Sequence, residues 1–189
     1  MNKNQIHYMK TWVFALGIVL LSVPSIAQTI IHVKGKKGIE AGYGVTPYGS
    51  SYNLSYVNHF SKRFYGKANL FMEQEKFRDA KAQGMGLELA GAYTVFTIGE
   101  KVFFNLKGGV NGGMKKFAPG IVVADPVTGN EQVKDFNTLK YGVSGGIENE
   151  IFLTGKWVLV VGFSQKYFFN GDVFGNTSWL GYAGIRRNF

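Results

Sequence analysis

The chain has 189 residues, enough for one domain, with no cysteine, 15% aromatic residues and 17% charged residues. The missing cysteine excludes disulfides, thiol catalysis, cysteine metal sites and a lipid-modified cysteine anchor, and the high aromatic content excludes disorder. The net charge of +9 is spread over turns and strands rather than clustered, which argues against nucleic acid and fits anionic lipid headgroups.

Residues 1–27 read as a secretory signal peptide. Lys3 and Lys10 supply a positive start, Trp12 to Leu21 an apolar centre, and Ser25-Ile26-Ala27 a small-x-small cleavage site. The apolar run is too short for a membrane helix, which needs about 20 residues, so cleavage before Gln28 is expected. Removing Lys3 and Lys10 leaves a charge of about +7 from the +9 of the whole. Residues 28–37 form an N-terminal leader segment, and 38–189 a single β-barrel domain. No later stretch is long and apolar enough to span as a helix. If this chain enters a membrane it does so as a closed barrel, since no other sheet satisfies its backbone there.

Eight runs of period two follow. Ile39, Ala41, Tyr43 and Val45 alternate with Glu40, Gly42 and Gly44. Tyr52, Leu54, Tyr56 and Phe60 alternate with Asn53, Ser55 and His59. Phe64, Ala68, Leu70 and Met72 alternate with Lys67, Asn69 and Glu73. Met85, Leu87, Leu89, Tyr93 and Val95 alternate with Gly84, Gly86, Glu88 and Thr94. Val102, Phe104, Leu106 and Val110 alternate with Asn105, Lys107 and Asn111.

The sixth and seventh runs flank Thr154-Gly155-Lys156 as a hairpin. In them Tyr141, Val143, Ile147 and Ile151 oppose Lys140, Ser144, Glu148 and Glu150, and Trp157, Leu159, Val161, Phe163 and Tyr167 oppose Gly162, Ser164 and Lys166. In the eighth, Gly181, Ala183 and Ile185 alternate with Tyr182, Gly184 and Arg186. Period two means strands, and these match the 9–11 residues with which a tilted strand crosses a bilayer.

Short connections at 61–63, 97–101 and 154–156 alternate with longer ones at 46–51, 74–83, 114–138 and 170–177. Short turns at one rim and long loops at the other is the asymmetry of outer-membrane barrels, whose turns face the periplasm. The fold class expected is therefore all-β, an eight-stranded antiparallel up-and-down transmembrane β-barrel of outer-membrane type. Its last strand pairs with its first. A final Phe189 fits the terminal aromatic of such barrels, although Arg187 stands at a parity where an apolar residue is expected.

One parity carries the charges. Glu40, Glu88, Glu148 and Glu150 face Lys67, Lys107, Lys140, Lys166 and Arg186. Buried charges are tolerated when paired, so an interior charge network of Glu40, Lys67, Glu88, Lys107, Glu148, Lys166 and Arg186 is expected, with Lys140 and Glu150 in water at the rims. An interior of eight strands is just wide enough for its own side chains. That leaves no passage for a general porin or a nucleic acid, and the charged interior argues against a soluble lipocalin-like binder.

Nothing points to catalysis. His32 lies in the leader segment, and His59 is expected half-exposed near the periplasmic end of its strand. Neither has a triad partner nearby in sequence, and two histidines after residue 27 without cysteine make a zinc site an unfavourable reading. Gly108-Gly109-Val110-Asn111-Gly112-Gly113 lacks the Lys-Ser/Thr and helix of a phosphate loop. These glycines are read as inward-facing and space-making. The run 125–130 is a turn sequence. No catalytic, cofactor-binding or metal residue is assigned, and neither a nucleic acid nor a small-molecule substrate is expected.

Lys37-Gly38-Ile39-Glu40, Tyr141-Gly142-Val143-Ser144-Gly145-Gly146, Glu148, Glu150, Phe152-Leu153 and the closing Arg187-Asn188-Phe189 resemble the TraO family of conjugative transposons from Bacteroides-type bacteria. The resemblance covers most of the chain after residue 27. It implies a non-catalytic structural component of a mating apparatus, exported through the general secretory pathway to the outer membrane. Other conjugation-machinery proteins and outer-membrane lipid would be its partners, with the loops 114–138 and 170–177 as contact surfaces. The alternative is a small barrel for adhesion or envelope maintenance.

Overall fold

The structure is a computed structural model that describes residues 34–77, 80–117, 122–124, 131–133, 137–172 and 175–189. The segment expected to be a signal peptide, His32 and the turn expected at 125–130 lie outside these residues. Among these residues ten strands occur in the order β1 (Lys37–Thr46), β2 (Gly49–His59), β3 (Phe64–Phe77), β4 (Ala80–Ile98), β5 (Val102–Phe117), β6 (Val122–Ala124), β7 (Glu131–Val133), β8 (Asn137–Phe152), β9 (Trp157–Asp172) and β10 (Gly175–Asn188). Eight of them close an antiparallel barrel in the order β1-β10-β9-β8-β5-β4-β3-β2, while β6 and β7 pair as a separate two-stranded ladder.

Closure is made by β1 and β10, with Gly38 opposite Asn188 and Val45 opposite Gly181. The other seams pair strands adjacent in sequence, except that β5 pairs with β8 across the segment that carries β6 and β7, so no backbone edge of the barrel is left for lipid to meet. The short turns fall where they are expected. In the β4–β5 turn the chain reverses through Gly99 at φ 57°, a left-handed conformation that glycine adopts without a Cβ clash.

The wall is inside-out relative to a soluble protein. Leu54, Leu70, Leu89, Val110, Ile147 and Phe163 are all more than 40% exposed on the outer face. Exposed aromatics border this apolar zone toward both rims. Phe60, Phe64, Phe96 and Trp157 lie toward the short turns, and Tyr43, Tyr52, Tyr141, Phe169 and Trp179 toward the other end. Aromatic girdles flanking an apolar band are the arrangement of a barrel set in a bilayer.

The strands run further than their apolar alternation. The stretch 74–83, expected as a loop, is mostly β3 and β4, and strand also replaces both ends of the expected loops 114–138 and 170–177. Ladder hydrogen bonds continue where the outer residues turn polar, as at Gln74, Lys76, Gln83 and Lys116. The apolar signal ends at the edge of the bilayer while the backbone pairing does not. At about 3.3 Å per residue and a tilt of roughly 40°, the 19 residues of β4 rise roughly 48 Å. That is about twice the ~25 Å apolar band of such barrels.

The glycine run of β5 divides by parity. Gly109 and Gly113 face inward as expected, but Gly108 and Gly112 share the outer parity of Val110, because a straight strand cannot send consecutive residues to one face.

Candidate functional site: the charge-filled lumen

Inward parity places a glutamate or a basic side chain at twelve described positions of the lumen. The acids are Glu40, Glu73, Glu75, Glu88, Glu148 and Glu150, and the bases Lys67, Lys107, Lys115, Lys140, Lys166 and Arg186, none of them more than 8% exposed. Formal charge is balanced.

The group nearest the short turns centres on Glu148 of β8. One of its oxygens accepts from the Tyr65 hydroxyl at 2.6 Å and from Arg186 Nη2 at 3.1 Å. The other accepts from Lys67 Nζ at 2.7 Å and the Tyr182 hydroxyl at 2.5 Å. Arg186 of β10 spans three carboxylates. It donates to Glu40 through Nε at 3.1 Å and Nη2 at 2.8 Å, and to Glu150 through Nη1 at 2.6 Å, besides its bond to Glu148. Lys67 of β3 joins Glu40 to Glu148, 2.7 Å from each. This satisfies buried charges from both sides, the condition under which they are tolerated.

Glu150 is fully buried, not at a wet rim. Arg186 reaches it from β10, two strands round the wall, and Lys36 stands at the mouth below, donating to the Gly155 carbonyl at 3.2 Å. Burial pulls the Lys36 ammonium below its usual pKa, partly offset by the nearby Glu150 carboxylate. His59 is likewise buried, with Nδ1 3.1 Å from the Lys36 carbonyl and its ring 5.1 Å from that of Tyr65. The approach to β1 closes over this end of the lumen, which shields both residues.

Midway along the barrel, Glu88 of β4 accepts from the Ser144 hydroxyl at 2.5 Å, and from Lys107 Nζ and Asn69 Nδ2 at 3.3 Å each. Toward the far rim Lys166 pairs with Glu73 at 2.7 Å and lies 3.8 Å from the centre of the Phe71 ring. Lys115 pairs with Glu75. Lys140, expected in water, is only 7% exposed, with its ammonium 4.6 Å from the Phe168 ring centre. Continuation of β8 above it places it inside the wall.

The structure thus brings Glu40, Lys67, Glu148 and Arg186 into one cluster and Glu88 and Lys107 into a second, while Lys166 pairs with Glu73. Sequence reasoning missed Glu73, Glu75 and Lys115 as members and Tyr65 and Tyr182 as donors. The signal was available: Glu75 follows Glu73 by two, Lys115 follows Asn111 by four, and Tyr65 precedes Lys67 by two, all on inward parity.

Aromatic rings fill what the charges leave. A Cβ on Gly162 would stand 2.4 Å from Tyr182 Cζ, and one on Gly86 would stand 2.5 Å from Phe71 Cζ. In both cases ring and glycine are register partners on neighbouring strands. The central void among Glu40, Lys67, Glu88, Lys107 and Tyr182 leaves about 10 Å³ for the centre of a water. The one by Glu73 and Lys140 leaves about 20 Å³. Either admits a water and nothing larger. Among the described residues no group of three His, Asp or Glu is placed to hold a metal ion.

No protein-family model matches this sequence, and no curated protein does. Solved structures do resemble it in fold. The N-terminal β-barrel domain of Pseudomonas aeruginosa OprF shares 12% identity at a TM-score of 0.59, over 82% of this chain and 98% of that one. Neisserial surface protein A shares 16% at 0.57, over 82% and 96%. Ail, the attachment invasion locus protein of Yersinia pestis, shares 13% at 0.55, over 83% and 100%. At such identities the likeness is one of fold: this chain has the closed eight-stranded antiparallel barrel of small outer-membrane proteins.

Proposed function

We propose that this protein is an integral outer-membrane barrel serving as a non-catalytic structural component of a conjugative transfer apparatus. On this reading it is exported through the general secretory pathway with loss of residues 1–27. The observation that carries the structural role is the lumen. Among the described residues its charges are paired and the voids between them are water-sized, which supports a filled lumen rather than a channel or a substrate pocket. What remains to do work is the outer surface and the two rims, as in an anchor or scaffold. Assignment to conjugation rests on the TraO resemblance of the segments around Glu40, Tyr141 and Arg187.

Deleting the gene in a donor should reduce transfer while leaving growth and recipient ability intact, and plasmid-borne protein should restore it. Unchanged transfer would remove the conjugation role and leave the second reading, a small barrel for adhesion or envelope maintenance. That reading draws on the resemblance to a protein named for attachment and invasion and on strands that outrun the apolar band.

A further inference from the structure

The rim where the chain enters and leaves the barrel carries a charge pattern that, Lys36 apart, the lumen does not use. Lys34, Lys36 and Lys37 lead into β1, and Lys62 and Arg63 sit in the β2–β3 turn. Lys101 precedes β5, Lys156 precedes β9, and Arg187 lies near the end of β10. Every crossing of this rim therefore brings at least one cation. In segments 34–37, 60–63, 99–101, 153–156 and 187–189, Glu100 is the single acidic side chain. The opposite rim differs. Its tight turn at Pro47 and Tyr48 carries no charge, and the exposed described cations Lys76, Lys81 and Lys116 belong to β3, β4 and β5 alone.

Two features identify what such a ring would meet. The cations surround the wall instead of forming one face. Some also point sideways: Lys37 and Arg187 have outer parity and are exposed at the edge of the apolar zone. Arg187 pairs in register with Ile39, which is 51% exposed. Its guanidinium lies 5.9 Å from the ring centre of the exposed Trp157. A soluble acidic partner approaching along the barrel axis would meet the turns but not these two residues. A guanidinium directed laterally beside an interfacial tryptophan is where a lipid phosphate sits, and it offers the forked donors that phosphate accepts.

We propose that this rim is a binding surface for anionic phospholipid headgroups of the adjoining leaflet, with Arg187 and Lys37 as lateral contacts and the turn cations above them. The inference rests on the membrane reading given above and adds a headgroup preference at one rim. It also accounts for Arg187, the residue whose charge breaks the apolar parity of the last strand.

The test uses Trp157 as a local reporter. The chain from Gln28 carrying Trp179→Phe keeps Trp157 as its one tryptophan, since the third tryptophan of the sequence, Trp12, is lost with residues 1–27. It is folded into phosphatidylcholine vesicles containing a minor fraction of chain-brominated phosphatidylglycerol or chain-brominated phosphatidylcholine. The anionic lipid should quench Trp157 at a mole fraction roughly fivefold lower. That preference should shrink toward none at about 1 M salt, where the Debye length is ~3 Å. Lys37→Gln with Arg187→Gln should remove most of it, with folding verified by heat-modifiable gel mobility. A second variant, Lys62→Gln with Arg63→Gln, should lower it by a smaller factor.

Equal quenching by the two lipids at low salt would overturn the proposal, as would a preference untouched by both variants. A soluble polyanion such as poly-glutamate or an oligonucleotide, bound at this rim in neutral vesicles without any phosphatidylglycerol preference, would overturn it in favour of a soluble partner. Failure to reach a heat-modifiable state in any vesicle would instead overturn the membrane reading beneath it.

Discussion

Glu40 and Arg186 stand opposite each other across the seam that closes the barrel. They are register partners of β1 and β10, with a carboxylate oxygen 2.8 Å from Nη2. They are not equivalent, however. Arg186 also holds Glu148 and Glu150, whereas Glu40 is held by Arg186 and Lys67. Removing the arginine leaves Glu150 without its short partner and Glu148 with three donors. Removing the glutamate leaves Arg186 two carboxylates and Lys67 one.

Arg186→Gln should therefore destabilise the barrel more than Glu40→Gln. Loss of one partner from a buried pair costs about 3–5 kcal/mol; Arg186→Gln should fall at the upper end and Glu40→Gln at or below the lower. The double variant should cost less than the sum, since the two residues touch. Urea unfolding in vesicles measures all three, and strict additivity would show that the pair is not coupled.

A second relationship tests packing alone. The Tyr182 ring occupies the space where a Gly162 side chain would go, and it cannot swing aside because its hydroxyl is held by Glu148 at 2.5 Å. Gly162→Ala should cost about 1–3 kcal/mol, the usual penalty for overpacking. At Gly145 on the outer parity the nearest atom to an added Cβ is 4.0 Å away, so Gly145→Ala should stay within about 0.5 kcal/mol. Equal costs at the two sites would show that the ring does not fill the lumen as described.

Parity told which face each residue takes, and with it the inward set; the need to leave no open edge in lipid told the pairing of first strand with last. It could not tell height. How far up the barrel a residue sits depends on tilt and on the register of all eight strands together. Lys140 and Glu150, near the expected ends of an apolar run, therefore read as rim residues although β8 continues past Lys140 and Lys36 covers the mouth below Glu150. Partners were hidden for the same reason. Lys166 and Glu73 come from β9 and β3, which are not adjacent, and no pattern along the chain relates them. The far ends of β3, β4 and β5 were missed because polar outer residues end the apolar alternation there.

The filled lumen carries an electrical expectation. In planar bilayers the reconstituted barrel should show no unitary conductance at neutral pH, because paired charges and aromatic rings fill the lumen and the void between the lower and middle clusters is water-sized. Arg186→Ala with Tyr182→Ala would remove two of the three largest side chains of the lower cluster, leaving Tyr65. If that variant still folds, it is the form in which ion steps should appear. Steps of similar size in the unaltered protein would mean that the lumen opens.

Orientation can be read directly because the chain has no cysteine. Short turns at the periplasmic rim is the arrangement of outer-membrane barrels, which puts Thr154-Gly155-Lys156 inside and the Pro47-Tyr48 turn outside. Pro47 and Gly155 are both exposed, and nothing lies within 4 Å of a Cβ added at Gly155. Single cysteines from Pro47→Cys and Gly155→Cys should thus be tolerated at little cost. In intact cells a maleimide coupled to a large polyethylene glycol cannot cross the outer membrane. It should label the Pro47→Cys protein at once and the Gly155→Cys protein only after permeabilisation. The reverse pattern would place the cationic rim at the cell surface, and labelling of both in intact cells would remove the protein from the membrane altogether.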